Sequence, residues 1–261
     1  MEIPVYQVDA FTDRPFAGNP AAVCPLDAWL PDDVLQAMAI ENNLSETAFL
    51  VGKGEGEFDL RWFTPGAEVD LCGHATLATA WVLYEQLGEA AERIVFHTRS
   101  GALGVARRDG RLVMDFPALA AEPVETPAGL TEALGAEPVA FLRAVKNMAV
   151  FESEAQVRAI KPDFDCIKAM EGFGLIVTAP GDASDCASRY FAPQVGIDED
   201  PVTGSAHCTI VPYWAARLGK PDIHARQVSA RSGDLYCRDL GARVEIAGNA
   251  VMTLKGNMIL P

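Results

Sequence analysis

Three short polar segments of the chain hold residue types that can accept or donate protons. One of them, NNLSET, places Glu46 shortly before the apolar run Ala48–Val51. Desolvation at such a position disfavours the charged form of a carboxylate, which suits a general acid or base near neutral pH. The other two segments, DLCGHATLA and EDPVTGSAH, contain the remaining candidates: Asp70, Cys72, His74, Glu199, Asp200, Thr203, Ser205 and His207.

Glu46 also has a purely structural interpretation. Asn43 and Glu46 have the spacing of an N-cap residue and the third residue of a helix in a capping box. In that case its carboxylate would accept a backbone hydrogen bond and take no part in chemistry. The residue types and their spacing leave both interpretations open.

Two of the polar segments open a repeated pattern. Residues 73–88 and 204–219 both read G-x-A, then eleven residues, then L-G. The similarity continues in the same order, with HTRSGALGV at 97–105 and SARSGDLYC at 229–237. Agreement in order over both segments favours a duplication, and chance similarity between two helices is the alternative.

The duplication divides the chain into two homologous halves, residues 1–118 and 119–261. The segment Pro117–Pro138 is rich in Ala, Pro and Glu and is predicted to be the linker between them. The last residues, Leu254–Pro261, can return as a strand of the first half, so the boundary between the halves is not sharp.

Each repeated segment is predicted to form a helix that begins at its glycine, Gly73 or Gly204, and stops at Leu-Gly. Its first three turns carry no charge, and a helix that is apolar on every face is a buried helix. Pro212 would kink or shorten the second helix. Runs with strand character surround both helices: Pro4–Ala10, Glu46–Val51, Phe58–Phe63, Arg93–His97, Arg111–Phe116, Phe173–Thr178, Gln227–Ala230 and Arg243–Ala247. The predicted fold class is therefore α+β, with each half a strand barrel wrapped around one central buried helix.

The two helix starts are candidate anion-binding sites. Backbone N–H groups at a helix start have no partner within the helix, and glycine allows a ligand to approach the backbone closely. Gly73 and Gly204 would then bind the carboxylate of a small anionic substrate. The alternative is that both glycines only permit tight turns.

Composition and charge exclude several classes of function. The chain of 261 residues is 49% hydrophobic and carries a formal net charge of −15, which argues against nucleic acid or an anionic membrane as a partner. The longest charge-free stretches, Leu71–Tyr84 and Pro201–Ala216, are shorter than the roughly 20 residues of a membrane span. No signal peptide is recognisable, and the six cysteines form no CxxC motif. A cytoplasmic protein with free thiols is expected.

Four longer segments carry a resemblance to a known family. DAFTDRPFAGNPAAVC (9–24), NLSETAFL (43–50), RWFTPGAEVDLCGHATLATA (61–80) and GIDEDPVTGSAHC (196–208) resemble, in order, the PhzF-like isomerases of phenazine biosynthesis. The resemblance implies a diaminopimelate epimerase-like fold with the active site between two barrel halves. It also implies an enzyme without cofactor or metal, often homodimeric, that moves a proton within a small cyclic carboxylic acid, as in the isomerisation of trans-2,3-dihydro-3-hydroxyanthranilate.

The resemblance also implies roles for individual residues. Glu46 would be the acid/base that takes a proton from one ring carbon and returns it to another. His74, Asp200 and Ser205 match the family's other active-site residues, and His74 and Asp200 would orient the substrate. Gly73 and Gly204, with the preceding Cys72 and Thr203, would bind the substrate through the backbone at the helix starts.

Other functions remain alternatives to this isomerase. A racemase or epimerase on the same fold would need one thiol in each half, and Cys72 has no thiol counterpart at Val202 or Thr203. A metal site could use Cys72, His74, His207 and Cys208, although their spacing is not that of the usual zinc modules. A binding protein could hold a small carboxylate without turning it over. Two residues also have structural alternatives, His74 as a histidine with satisfied hydrogen bonds and Ser205 as an N-cap.

Overall fold

The computed structural model describes residues 1–260, and these residues form two compact units. The first unit combines Met1–Asp115 with the chain from Ala247 onward, and the second is Phe116–Ile246. That the two units are copies of one ancestral sequence stays a prediction. No helix in the described range, 1–260, has both the length and the apolar character needed to cross a membrane.

Strands predominate in both units and are interrupted by a few helices. In chain order the elements are β1 (Glu2–Ala10), β2 (Asn19–Leu26), α1 (Asp32–Asn42), β3 (Glu46–Gly54), β4 (Glu57–Phe63), β5 (Glu68–Val69), α2 (Gly73–Gln86), β6 (Arg93–Thr98), β7 (Gly101–Arg108), β8 (Arg111–Pro117), β9 (Glu122–Pro123), α3 (Leu130–Leu134), β10 (Ala140–Arg143), β11 (Asn147–Val150), α4 (Glu154–Ala159), α5 (Phe164–Lys168), β12 (Leu175–Pro180), β13 (Cys186–Ala192), a 3-10 turn (Pro193–Val195), β14 (Ile197–Asp200), α6 (Gly204–Leu218), β15 (Asp222–Gln227), β16 (Gly233–Asp239), β17 (Arg243–Gly248) and β18 (Ala250–Ile259).

The first unit wraps its strands around α2. Strand β1 pairs antiparallel with both β2 and β18, and β2 pairs parallel with β3. The sheet continues through β4, β6 and β7, with β4 and β6 parallel to each other. Helix α2 contacts β1, β2, β3 and β18. Its side chains from His74 to Ala80 are all buried, as predicted for a helix that is apolar on every face.

The second unit buries α6 in a similar way. Its sheet runs from β10 through β11, β12 and β13, and β13 also pairs with β14 and β15. Helix α6 contacts β15 and β16. The indole nitrogen of Trp214 in α6 donates a hydrogen bond of 3.0 Å to Thr178 Oγ1 in β12, so the one polar atom of this buried side chain is satisfied.

Several local predictions need correction. Pro212 does not shorten α6, which continues to Leu218, and a kink at this proline stays a prediction. The predicted strand Gln227–Ala230 is wrong, because β15 ends at Gln227. Past that strand, the Ser229 hydroxyl donates to the Pro201 carbonyl at 2.7 Å, so the chain turns there instead of extending. The segment predicted to be a linker contains β9 and α3.

The capping interpretation of Glu46 is also wrong. Helix α1 ends at Asn42, and Asn43 is its C-cap in the left-handed conformation, with φ of 47°. Asparagine tolerates this conformation better than most residues, and here it ends the helix. Glu46 then begins β3 and follows no helix start.

Candidate active site

Glu46 is fixed at the first position of a buried strand. It lies opposite Ala21 in the parallel pairing of β3 with β2, and only 9% of the residue is exposed. The strand that follows it, from Thr47 to Leu50, is entirely buried. The backbone of two paired strands therefore holds a carboxylate where little water reaches it.

His74 faces this carboxylate from the second position of α2. Its Nε2 lies 3.0 Å from Glu46 Oε2, and both side chains are buried. The contact is short enough for an ion pair but does not have hydrogen-bond alignment. Within residues 1–260 neither atom has any other hydrogen-bond partner. Because buried polar atoms are nearly always hydrogen-bonded, this pair is able to engage a ligand.

The opposite side of the His74 ring contacts Asn19, a residue not among the sequence candidates. Asn19 Nδ2 lies 3.2 Å from His74 Nδ1, and the Ser45 hydroxyl donates to Asn19 Oδ1 at 3.3 Å. An amide N–H can only donate, so Nδ1 accepts and the ring proton belongs on Nε2, toward Glu46. Asn19 and Ser45 lie within two of the segments that carry the family resemblance, which is the one sequence signal that could have identified them.

The protonation of His74 responds to opposing influences. Burial lowers the pKa of His74, but the adjacent Glu46 carboxylate raises it, and the pKa lies well above its usual value. A second ring proton would be added at Nδ1. Asn19 would then have to turn its amide oxygen toward the ring, so its orientation and the charge of His74 are coupled.

Cys72 occupies the N-cap position of α2, and its side chain caps no backbone N–H. Its Sγ lies 3.5 Å from His74 Nδ1. Burial raises the pKa of this thiol to about 11, and the Glu46 carboxylate contributes to the increase, so the thiol is neutral at pH 7. The racemase alternative requires a thiolate, which this environment disfavours.

Glu46, Cys72 and His74 also carry atoms that could ligate a metal, all within 4.8 Å of one another. His74, however, presents Nδ1 to Cys72 and Nε2 to Glu46. The two ring nitrogens point in different directions. A metal ion bound at Nδ1 would therefore lie away from Glu46, and one bound at Nε2 would lie away from Cys72. The arrangement is that of a histidine linking a thiol and a carboxylate.

In the second unit the chain between β14 and α6 carries another cluster of predicted residues. Thr203 is the N-cap residue of α6, and its hydroxyl donates to Asp200 Oδ2. The fully buried Gln227 accepts from the Thr203 backbone N–H at 2.8 Å. Its amide donates to the Asp200 carbonyl at 2.7 Å and to Thr203 Oγ1 at 3.2 Å. Gln227, absent from the sequence candidates, thus fixes the segment that leads from Asp200, at the end of β14, to α6.

The start of α6 settles the structural alternative for Ser205. Gly204 is the first residue of the helix and Ser205 the second, so the N-cap interpretation of Ser205 is wrong. Ser205 is partly buried. Neither Gly73 nor Gly204 has a positive φ, so neither is needed for a left-handed turn. Each stands where a helix presents its first backbone N–H groups.

Three other polar residues of the two motifs are exposed, ion-paired or fully buried. Asp70 is exposed, and Glu199 forms a two-bond ion pair with Arg189 at 2.8 and 2.9 Å. His207 is fully buried, with Nδ1 at 2.8 Å from the Thr203 carbonyl. Burial lowers the pKa of His207 to about 4, so it is neutral at pH 7. The first unit therefore brings together Glu46, Cys72, Gly73 and His74, and the second brings together Asp200, Thr203, Gly204 and Ser205.

Comparison with known proteins identifies the chain's relatives. Residues 8–256 match the sequence model of PhzC-PhzF, the phenazine biosynthesis-like proteins. The chain belongs to this family. An uncharacterized isomerase of Pseudomonas aeruginosa is 54% identical over 260 residues, covering 100% of both chains. The crystal structure of a PhzF-family protein from Enterococcus faecalis superposes with a TM-score of 0.97 and 46% identity, again over 100% of both chains.

A more distant similarity concerns the fold alone. A hydroxyproline epimerase from Agrobacterium vitis is 10% identical, with a TM-score of 0.61 over 98% of this chain and 92% of that one. These comparisons confirm the predicted PhzF-like family and the α+β fold of two barrel halves, and the protein is an isomerase. The homodimer, the cytoplasmic location and the roles of individual PhzF-like site residues stay predictions.

Proposed function

We propose that this isomerase shifts a proton within a small cyclic carboxylic or amino acid, without a cofactor, and that Glu46 is the acid/base. The observation that carries the proposal is the buried Glu46 Oε2, which lies 3.0 Å from His74 Nε2 and has no aligned hydrogen-bond partner in residues 1–260. A carboxylate in this position can turn toward a substrate carbon without breaking a hydrogen bond.

The reaction needs one base and two accessible carbons. Glu46 accepts the proton from the first carbon, and the electron pair of that C–H bond enters the conjugated system of the substrate. Glu46 then returns the proton to the second carbon, so the protein ends in its starting state. The carboxylate oxygen must come within about 3 Å of each carbon in turn.

His74 supports the ionised state of Glu46 in this proposal. Its Nε2–H faces the carboxylate and stabilises the ionised form that accepts the proton. Asp200 and Ser205 contact the polar substituents of the substrate, and His74 and Asp200 orient its amine and hydroxyl. Gly73 and Gly204, together with Cys72 and Thr203, offer the backbone donors of the two helix starts to its carboxylate.

The first substrate to test is trans-2,3-dihydro-3-hydroxyanthranilate, followed by other small cyclic acids. Each is incubated in D₂O with the wild-type protein, with Glu46→Gln and with Glu41→Gln, a control at an exposed position of α1. Deuterium incorporation that is lost only in Glu46→Gln supports the proposal. Ligand-induced melting shifts without any exchange would identify a carboxylate-binding protein instead.

A racemase with two thiols is the less favoured alternative. Thr203 occupies the N-cap of α6, where Cys72 stands at the N-cap of α2. The second unit therefore lacks a thiol at the position where that chemistry would require one. Inversion of an α-carbon in the same D₂O experiment, followed by chiral separation, would favour the racemase.

A further inference from the structure

One lysine of the second unit lies close to the cluster around Asp200 and has no assigned role. Lys146 stands in the turn between β10 and β11, and its carbonyl accepts the Ala144 N–H at 3.0 Å to close that turn. The side chain is partly buried. Its ammonium nitrogen lies 5.8 Å from the centre of the Tyr190 ring, a cation–π distance that defines where the charge is held.

Tyr190 connects this ammonium to Asp200. Tyr190 in β13 and Asp200 in β14 are direct cross-strand partners, and Tyr190 is buried. The Tyr190 hydroxyl donates to the Phe173 carbonyl, which fixes the ring under the lysine. A residue whose charge rests over Tyr190 therefore lies beside the strand position that carries the Asp200 carboxylate.

The electrostatics around Lys146 agree with this placement. Burial lowers the pKa of Lys146, and the nearby Cys208 and Asp200 offset only part of that decrease. Cys208 lies in the first turns of α6, after Gly204. The two influences come from the loop and the helix that carry the proposed binding residues of this unit.

Lys146 forms no ion pair with an Asp or Glu side chain of residues 1–260. Other lysines do: Lys220 contacts Asp185 at 2.6 Å and Lys53 contacts Asp59 at 3.1 Å. Partial burial weakens the hydration of an ammonium group, and a cation–π contact compensates only in part. An anion that reached Lys146 would therefore be bound with a gain in free energy that an already paired lysine could not provide.

We propose that Lys146 binds the carboxylate of the substrate together with the backbone donors at the start of α6, and makes the site select anionic cyclic acids over their neutral analogues. This inference rests on the proposed function, since it names a binding residue for the same substrate. It also explains how a chain with a net charge of −15 binds an acid. A nearby cation attracts the bound carboxylate more strongly than distant acidic side chains repel it, because salt screens the distant charges.

The test uses two probes of the same shape, 2-aminobenzoate and its neutral analogue 2-aminobenzamide. Their affinities are measured by calorimetric titration for the wild type and for Lys146→Met, which keeps the apolar stem over Tyr190 and removes the charge. Lys146→Arg is the variant that preserves the charge. Lys161→Met, at an exposed position of the same unit, is the matched control.

We expect the wild type to prefer the acid over the amide, and Lys146→Met to lose at least about tenfold in affinity for the acid only, as for a lost hydrogen bond to a charged group. Lys146→Arg should retain most of the preference, and Lys161→Met all of it. Equal affinity of the wild type for acid and amide overturns the inference without any variant. An equal loss for both probes in Lys146→Met also overturns it.

Failure of this inference is distinguishable from failure of the proposed function. If deuterium exchange depends on Glu46 while Lys146→Met keeps its preference for the acid, only the role of Lys146 is wrong. If the acid is preferred through Lys146 but no cyclic acid exchanges deuterium, the anion site stands and the proposed proton shift within a cyclic acid is wrong.

Discussion

His74 Nε2 lies 3.0 Å from Glu46 Oε2, and both groups are withdrawn from water. Glu46 is the first residue of β3 and His74 is the second residue of the central helix of the same unit, so a strand and a helix determine their separation. A site built on such elements is held more accurately than a site built on loops.

The orientation of His74 should depend on Asn19. Asn19→Asp replaces the amide donor at Nδ1 with a carboxylate that accepts, so Nδ1 should take up a second ring proton while Nε2 keeps its proton toward Glu46, and His74 should stay charged through the reaction. The ring ¹⁵N shifts of His74 measure directly which of its two nitrogens carry a proton. Activity should fall by about 10- to 100-fold, as when an orienting partner of a metal-bound histidine is lost. Unchanged ¹⁵N shifts would show that Asn19 does not set the tautomer.

The segment from Asp200 to the start of α6 should depend on Gln227. Gln227→Leu leaves the Thr203 N–H and the Asp200 carbonyl without their partner in a buried region. The free energy of unfolding should fall by about 2–4 kcal/mol, because unpaired buried polar groups are costly. Gln194→Leu, which removes a single hydrogen bond of 2.7 Å at a partly buried position, is the control and should lose less. Equal losses in urea unfolding would refute a special role for Gln227.

His207 should make the protein sensitive to acid. Burial lowers its pKa from 6.5 to about 4 in the folded state, so the unfolded state binds the proton first as the pH falls. Its contribution to stability is therefore complete above pH 6.5 and is lost as the pH falls toward 4, by about 3 kcal/mol in total.

His207→Asn provides the comparison, because its amide can keep the hydrogen bond to the Thr203 carbonyl and does not titrate. The difference in unfolding free energy between wild type and variant cancels the other titrating groups. That difference should change with pH between 6.5 and about 4. A difference that stays constant over this interval would show that His207 takes up its proton without unfolding.

The sequence predicted the helices that carry the site but not the contacts that orient it. The starts of α2 and α6 at Gly73 and Gly204 are confirmed, because apolar character on every face and a terminal Leu-Gly are local signals. The contact between Asn19 and His74 joins β2 to α2, and no local pattern specifies such a pairing.

Strand ends and caps show the same limitation. Gln227 was placed at the start of a predicted strand, yet it ends β15, and its buried side chain binds the backbone before α6. Thr203 rather than Ser205 is the N-cap because that tertiary contact and the end of β14 decide where the helix begins. Helix caps and short strands depend on such contacts more than on residue preference.

The most direct test of the account is the kinetic effect of Glu46→Gln. The substitution keeps the size of the side chain and removes the group that accepts a proton. With the acid that exchanges deuterium as substrate, kcat should fall by at least about 100-fold, the usual contribution of a general acid/base. The affinity for that acid should stay within about threefold of wild type, because binding and chemistry are separate functions of the site. Glu41→Gln should behave as wild type. A Glu46→Gln protein that turns over within about tenfold of the wild-type rate would contradict the central claim.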